Sequence, residues 1–404
     1  MLKDGSAMAS SYPSLMVVSD WPPVYTGIGM SSCIVLCRLF KSYPHDRILF
    51  VSQEVRKREL HIPEWVSGRL EKIKMFPASL LGFNLPGSMM ANILIQKLIA
   101  RKIASLCRKA GTEVIFVSPL YDGLLLRPAI IAANELNIPL VVYFMDDMVK
   151  AYEIMWPEYV KYASGWQEEV LMGSDMIYVN GPGMQSTYRT RYGVESQILT
   201  NIVDLEEYSG LRKLSSRTSK EVPTIVYTGT VYGAQQDSME NLVEAIDIVN
   251  RVGIVCRLDI YSNLMEKDLS LLGWERPYIS AKRPVDGNKI PSILIKSDIL
   301  FLPLSFDPRW NYTVKTSAPG KLAEYAASGR PILIHAPPEA DISIIGRERN
   351  LGIVVDRPDP ALLAGAIQSL IENPSYAIEL GEKALDAARN HYDQNIVQQR
   401  LYFD

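Results

Sequence analysis

TSAPGKLAEYAASGRPILIH, from Thr316 to His335, reads as turn, helix, stop and strand. Ser317 suits a helix N-cap and Pro319 the first turn. Leu322, Tyr325 and Ala326 recur at helical spacing. Gly329 can end the helix in a left-handed conformation, and Pro331 blocks its continuation. PILIH then reads as a short buried strand. Lys321 falls in the first turn, where the helix dipole disfavours a cation. A bound anion such as phosphate would restore the balance. Glu324 lies three residues on and shares a face with Lys321. A cation for phosphate beside a carboxylate for hydroxyls suits a nucleotide-sugar. The plain alternative is a solvated Lys–Glu pair on an ordinary helix.

Outward from this stretch, short apolar runs alternate with helical patterns. Ser14–Asp20, Arg47–Ser52, Glu113–Ser118, Pro139–Met145 and Asp175–Asn180 read as strands, with Gln197–Tyr208 as the last strand and exit of a first domain. They are continuous and rich in β-formers, as strands buried on both faces are. The alternation predicts a doubly wound parallel sheet. A polar stretch at 209–222 reads as a linker, and the pattern restarts with Thr224–Gly229, Cys256–Tyr261, Asp298–Leu304 and Gly352–Asp356. The division expected is 1–208, 209–222, 223–374 and a helical tail, 375–404, that returns to the first domain. Two such domains would face a central cleft. Ligands in such sheets bind beyond the carboxyl ends of the strands.

The chain has 404 residues, 48% hydrophobic and 22% charged, with net charge −3. That suits a globular protein of two or three domains and gives no global signal for nucleic acid. Cys33, Cys37, Cys107 and Cys256 make neither a disulfide framework nor a C-x-x-C. The four histidines are scattered, so no metal site is expected. No apolar run is long enough to span a membrane and residues 1–14 lack the core of a signal peptide, so a cytoplasmic setting is expected.

The residues of the opening stretch resemble the nucleotide-binding segment of GT-B glycosyltransferases, in particular the retaining family 4 type. The resemblance rests on Ser317, Ala318, Pro319, Gly320, Lys321, Glu324, Tyr325, Ala326, Ala327, Gly329, Arg330 and Pro331. It implies two Rossmann-like domains, an acceptor domain followed by a donor domain. It also implies transfer of a sugar from a nucleotide diphosphate donor to an acceptor hydroxyl, with retention and without a required metal or cofactor. Glu324 would bind the donor ribose and Lys321 the phosphate. The family usually carries two glutamates separated by seven residues; the first position is Thr316 here, so the donor-sugar contact departs from the pattern. A role in surface polysaccharide or glycolipid synthesis is what the family suggests.

Other motifs leave alternatives open. Gly27-Ile28-Gly29 could bring backbone amides to a phosphate. As a dinucleotide fingerprint it lacks the third glycine, and its loop is too long for the tight turn. Gly229 and Thr230 sit where the family has a glycine and an arginine, and Gln235-Gln236-Asp237 where it has a lysine. The phosphate charge would come from Lys321, with Lys315, Arg283 and Arg309 behind it. Asp146 and Asp147 close a strand, and adjacent side chains on an extended chain point apart. One of them is a candidate acceptor ligand or base, and a helix N-cap is the competing role. No D-x-D occurs. Asn201-Ile202-Val203-Asp204 reads as a structural turn.

Residues 55–110 hold eleven lysines and arginines against three glutamates. Arg56, Lys57, Arg58, Lys97, Arg101, Lys102, Arg108 and Lys109 are interleaved with apolar residues such as Phe76, Leu81 and Phe83. This suits either peripheral contact with a membrane or lipid-linked acceptor, or a solvated helix face over core. Two other functions share the fold. One is a nucleotide-sugar epimerase or hydrolase; the other is a non-catalytic partner subunit, which the missing arginine, lysine and first glutamate keep open.

Overall fold

The computed structural model describes residues 12–25, 31–54, 60–75, 86–120, 122–212, 222–253 and 255–401, the side chains of 86–88 and 212 excepted. Two sheets carry the fold. The first contains β1 (Leu15–Ser19), β2 (Ile48–Gln53), β3 (Leu70–Ile73), β4 (Val114–Ser118), β5 (Leu140–Phe144), β6 (Met176–Val179) and β7 (Gln197–Ile198), in the order β3-β2-β1-β4-β5-β6-β7. The second contains β8 (Thr224–Thr228), β9 (Arg257–Tyr261), β10 (Ile279–Lys282), β11 (Ile299–Pro303), β12 (Ile332–His335) and β13 (Gly352–Val355), in the order β10-β9-β8-β11-β12-β13. The doubly wound order expected from the sequence is therefore present twice. In each sheet the order reverses beside the founding strand, β1 or β8, and that reversal is where such folds place ligands.

β1 pairs in parallel with β2 and β4, residue Val17 lying opposite both Phe50 and Phe116. β8 pairs in parallel with β9 and β11. β1, β4, β5, β8, β11 and β12 are buried along their whole length. Helices covering both faces leave these strands no solvated side, which is why their sequences show no alternation.

The chain folds into two compact units. One holds the described residues through Pro23, Phe40–Tyr178 and Leu401; the other holds Val24–Leu39 and Val179–Arg400. Residues 179–208, given to the first domain by sequence, and 375–400, given to a returning tail, thus group with the second unit. The tail helix Pro374–Ala387 packs there, with Ala384, Ala387 and Tyr392 in one core with Leu322, Tyr325 and Ala326.

Several local expectations change. Gln197–Tyr208 holds only a two-residue strand, followed by a helix at Glu206–Arg212 that runs into the expected linker; 213–221 lie outside the described residues. β3 and β10 escaped the sequence reading because each is a four-residue edge strand with several side chains open to solvent. The key helix spans Lys321–Ser328 with Gly320 at its N-cap; Ser317 instead closes the preceding helix, Asn311–Thr316. Pro319 accounts for the late start: its carbonyl accepts the Leu322 N–H at 3.0 Å, making a separate turn first. The stop is as expected, with Gly329 at φ 71°.

Candidate functional site

Lys321 is the first residue of its helix, beside the end of β8. Its Nζ lies 5.4 Å from the centre of the Tyr227 ring. Burial lowers its pKa from the ordinary lysine value, and the Glu324 carboxylate opposes that shift. No side-chain or backbone oxygen among the described residues accepts a hydrogen bond from it. A desolvated ammonium supported only by a ring face has donors left over for an anion.

The end of β8 is shaped around this lysine. Gly229 has φ 120°, a conformation that L side chains rarely adopt, and its N–H donates to the Tyr261 carbonyl at 2.8 Å. The Tyr325 hydroxyl accepts the Thr228 N–H at 3.0 Å and lies 3.2 Å from Thr228 Oγ1. Tyr325 is fully buried. It ties the helix to the strand from within the core, which fixes Lys321 and Glu324 one turn apart over the strand end.

Glu324 meets a cation that the sequence reading missed. Arg38, on the helix Ser31–Phe40, places Nη1 3.5 Å from Glu324 Oε1 and Nη2 2.9 Å from Glu207 Oε2. It also donates to the Ile202 carbonyl at 3.2 Å. Burial works to lower the Arg38 pKa, but Glu324 and Glu207 outweigh it, so the net shift is upward. The available signal was a lone cation in SSCIVLCRLF, an otherwise uncharged helix. Asn201, expected in a structural turn, fastens the loop ahead of Lys321 by donating to the Ala318 carbonyl.

The other candidates separate. Gly320 adjoins Lys321 at the N-cap. Thr316 is buried, its hydroxyl donating to the Tyr312 carbonyl at 2.9 Å. Ser317 is half-buried, whereas Lys315, Thr230 and Arg283 are exposed. The Thr230 carbonyl accepts from the Tyr227 hydroxyl at 2.7 Å. Arg309 is neutralised by Asp307, with Nε 2.8 Å from Oδ2. Gly27 and Gly29 lie outside the described residues.

Asp146 and Asp147 belong to the first unit. Asp147 is buried and caps the helix Met148–Met155, accepting the Lys150 N–H at 2.9 Å. Asp146 keeps a face open to solvent, yet the surrounding chain desolvates it enough to raise its carboxyl pKa, and the charge of Asp147 adds to the effect. A second acidic pair was not anticipated. Asp20 Oδ2 accepts the Leu120 and Gly123 N–H groups at 2.9 and 3.1 Å. Gln53 Nε2 bridges to Asp20 Oδ1 at 3.3 Å and to Asp122 Oδ1 at 2.7 Å. Burial, then the neighbouring Asp20 charge, pushes Asp122 up to about 8. Among the described residues no group of His, Cys, Asp or Glu could hold a metal ion, and no helix is long and apolar enough to cross a membrane.

Two doubly wound parallel sheets in one chain define the class: this is the GT-B fold. Residues 222–373, which carry the second sheet and the Lys321 helix, match the family described as Glycosyl transferases group 1. The solved structures that resemble the chain include HepE of Anabaena in complex with UDP, at 14% identity and TM-score 0.64, covering 96% of this chain and 98% of that one. Sucrose-phosphate synthase from Thermosynechococcus elongatus matches at 12% identity and TM-score 0.65, covering 96% and 97%. WaaG, a glycosyltransferase involved in lipopolysaccharide biosynthesis, matches at 12% identity and TM-score 0.62, covering 96% and 98%. No curated protein matches the chain in sequence.

Proposed function

We propose that the chain transfers a sugar from a nucleotide diphosphate sugar to an acceptor hydroxyl. The observation that carries this is the Lys321 ammonium, from which no oxygen among the described residues accepts a hydrogen bond, held at a helix start and over the Tyr227 ring beside the end of β8. A donor diphosphate is a dianion or more, and its departure concentrates negative charge. A preorganised, desolvated cation stabilises that charge more than the ground state, which lowers the barrier. Glu324 would hold ribose hydroxyls, and Lys315, Arg283 and the Gly27–Gly29 loop are the remaining candidates for phosphate contact. The resemblance of the Ser317–Pro331 segment to the retaining family 4 type is what supports retention without a metal.

Asp146 is the proposed ligand or base for the acceptor hydroxyl, because Asp147 is committed to its helix cap. The helix Gln96–Ala110 exposes Lys97, Arg101, Lys102, Arg108 and Lys109, with Leu94 and Leu98 also exposed nearby. That combination suits an acceptor at an anionic surface, such as a growing polysaccharide or glycolipid.

The test is a thermal-shift screen of UDP-, GDP-, dTDP- and ADP-sugars, since a ligand that binds only the native state raises the midpoint. UDP-glucose comes first, because HepE has been captured with it. A shift with one nucleotide class, lost in Lys321→Ala and reduced in Glu324→Ala, supports the reading and names the donor for acceptor assays. Binding without turnover on any acceptor would point to a partner subunit. Failure of every nucleotide to shift the midpoint would overturn the donor site.

A further inference from the structure

We infer that Arg38 is a positioning residue that holds Glu324 away from Lys321, so that the lysine stays available for the donor phosphate. This rests on the reading of Lys321 and Glu324 as donor ligands. The two share a helix face at i and i+3, a spacing at which opposite charges ordinarily pair. They do not pair here: Glu324 contacts Arg38 at 3.5 Å, and the Lys321 ammonium rests on the Tyr227 ring. Left alone, the carboxylate would serve as the internal anion of Lys321, and a donor phosphate would have to displace it.

Arg38 is built for this task. Only 13% of its side chain is exposed. Its guanidinium is held at two further points, Glu207 Oε2 at 2.9 Å and the Ile202 carbonyl at 3.2 Å. Its own carbonyl accepts from Gln398 at 2.7 Å, which fixes the backbone. A fork with several donors can meet two carboxylates at once, as a lysine ammonium cannot do with the same geometry. Two carboxylates against one guanidinium leave Glu324 only partly neutralised, so it can still accept hydroxyl donors.

The experiment is nucleotide titration calorimetry with UDP, GDP, dTDP and ADP on the full chain, as a double-mutant cycle. Arg38→Gln should weaken binding about five- to tenfold in the native background and less than about twofold in Glu324→Gln. Arg38→Gln should also move the alkaline limit of binding to higher pH, because a freed Glu324 raises the Lys321 pKa. Arg38→Lys should restore part of the affinity. If Arg38→Gln does not fold, Arg38→Met keeps the apolar stem, frees Glu324 in the same way and should reproduce the pH shift. Equal losses in both backgrounds with an unmoved alkaline limit would leave Arg38 a structural fastening and overturn the inference. Should Lys321→Ala bind nucleotide normally, or no nucleotide bind at all, the donor-site reading fails and takes this inference with it. Should Lys321→Ala lose binding while Arg38→Gln keeps it, the inference alone fails.

Discussion

A Cβ at Gly229 would stand 2.2 Å from Lys321 Cε and 2.7 Å from its Nζ. The glycine and the lysine are therefore one feature, 92 residues apart in sequence. The bare backbone lets the lysine stem pass over the strand end, and φ 120° is a conformation that alanine adopts only under strain. Gly229→Ala should lower stability by about 1–3 kcal/mol and displace Lys321 from the Tyr227 ring. Urea denaturation measures the first effect and nucleotide titration the second. A variant of native stability and native affinity would show that the two residues are not coupled.

Asp146 and Asp147 should divide cleanly between activity and stability. Asp147→Ala removes a helix N-cap and should cost about 1 kcal/mol. Asp146→Asn removes a charge that is penalised by its surroundings, so stability should hold or rise slightly. If Asp146 serves the acceptor, Asp146→Asn lowers turnover while leaving donor affinity unchanged. Comparing denaturation midpoints with transfer rates for the two variants separates the roles. An active, fully stable Asp147→Ala would contradict the cap.

Tyr325 tests how rigidly the helix must be tied to β8. Tyr325→Phe keeps the buried ring and deletes the hydroxyl that accepts the Thr228 N–H. Leaving that buried donor unsatisfied should cost about 1–3 kcal/mol. Donor affinity should fall with it, because Lys321 and Glu324 ride on the same helix. A thermal melt and a nucleotide titration on the same sample check both. A loss of stability without any loss of affinity would mean that the helix keeps its place without the tie.

The parallel sheets were legible because strands buried on both faces write themselves as unbroken runs, such as LMVVS and ILFLP. Edge strands with exposed residues, LEKI and ISAK, carry no such signature. At the candidate site, Lys321 stood out in the sequence because a cation at a helix start breaks a local rule. Gly229 was legible as a loop glycine but not as the space for a particular side chain. Arg38 was hidden for a different reason. Its carboxylate partners lie 169 and 286 residues away, and no local pattern announces a pairing at that distance. The acid pair Asp20–Asp122 was hidden in the same way, since only the folded sheet brings the two loops together.

That acid pair gives the chain a specific dependence on pH. Asp122 is pushed up to about 8, first by burial and then by the charge of Asp20, against about 3.9 for an aspartate in an unfolded chain. Below about pH 4 both states carry the proton and the pair costs nothing. Between about 4 and 8 the native state keeps a proton that the unfolded chain has released, so stability falls as pH rises through this window. One such proton gives a slope of at most about 1.4 kcal/mol per pH unit. Asp122→Asn cannot ionise, and its carbonyl oxygen can still accept from Gln53 and from the Leu124 N–H. Urea denaturation of both proteins at pH 5 and pH 8 makes the comparison. The native chain should lose more stability between the two than Asp122→Asn does, and the variant should be the more stable of the two at pH 8. Parallel profiles would mean that Asp122 titrates as an ordinary carboxylate and that no proton is held between the two acids.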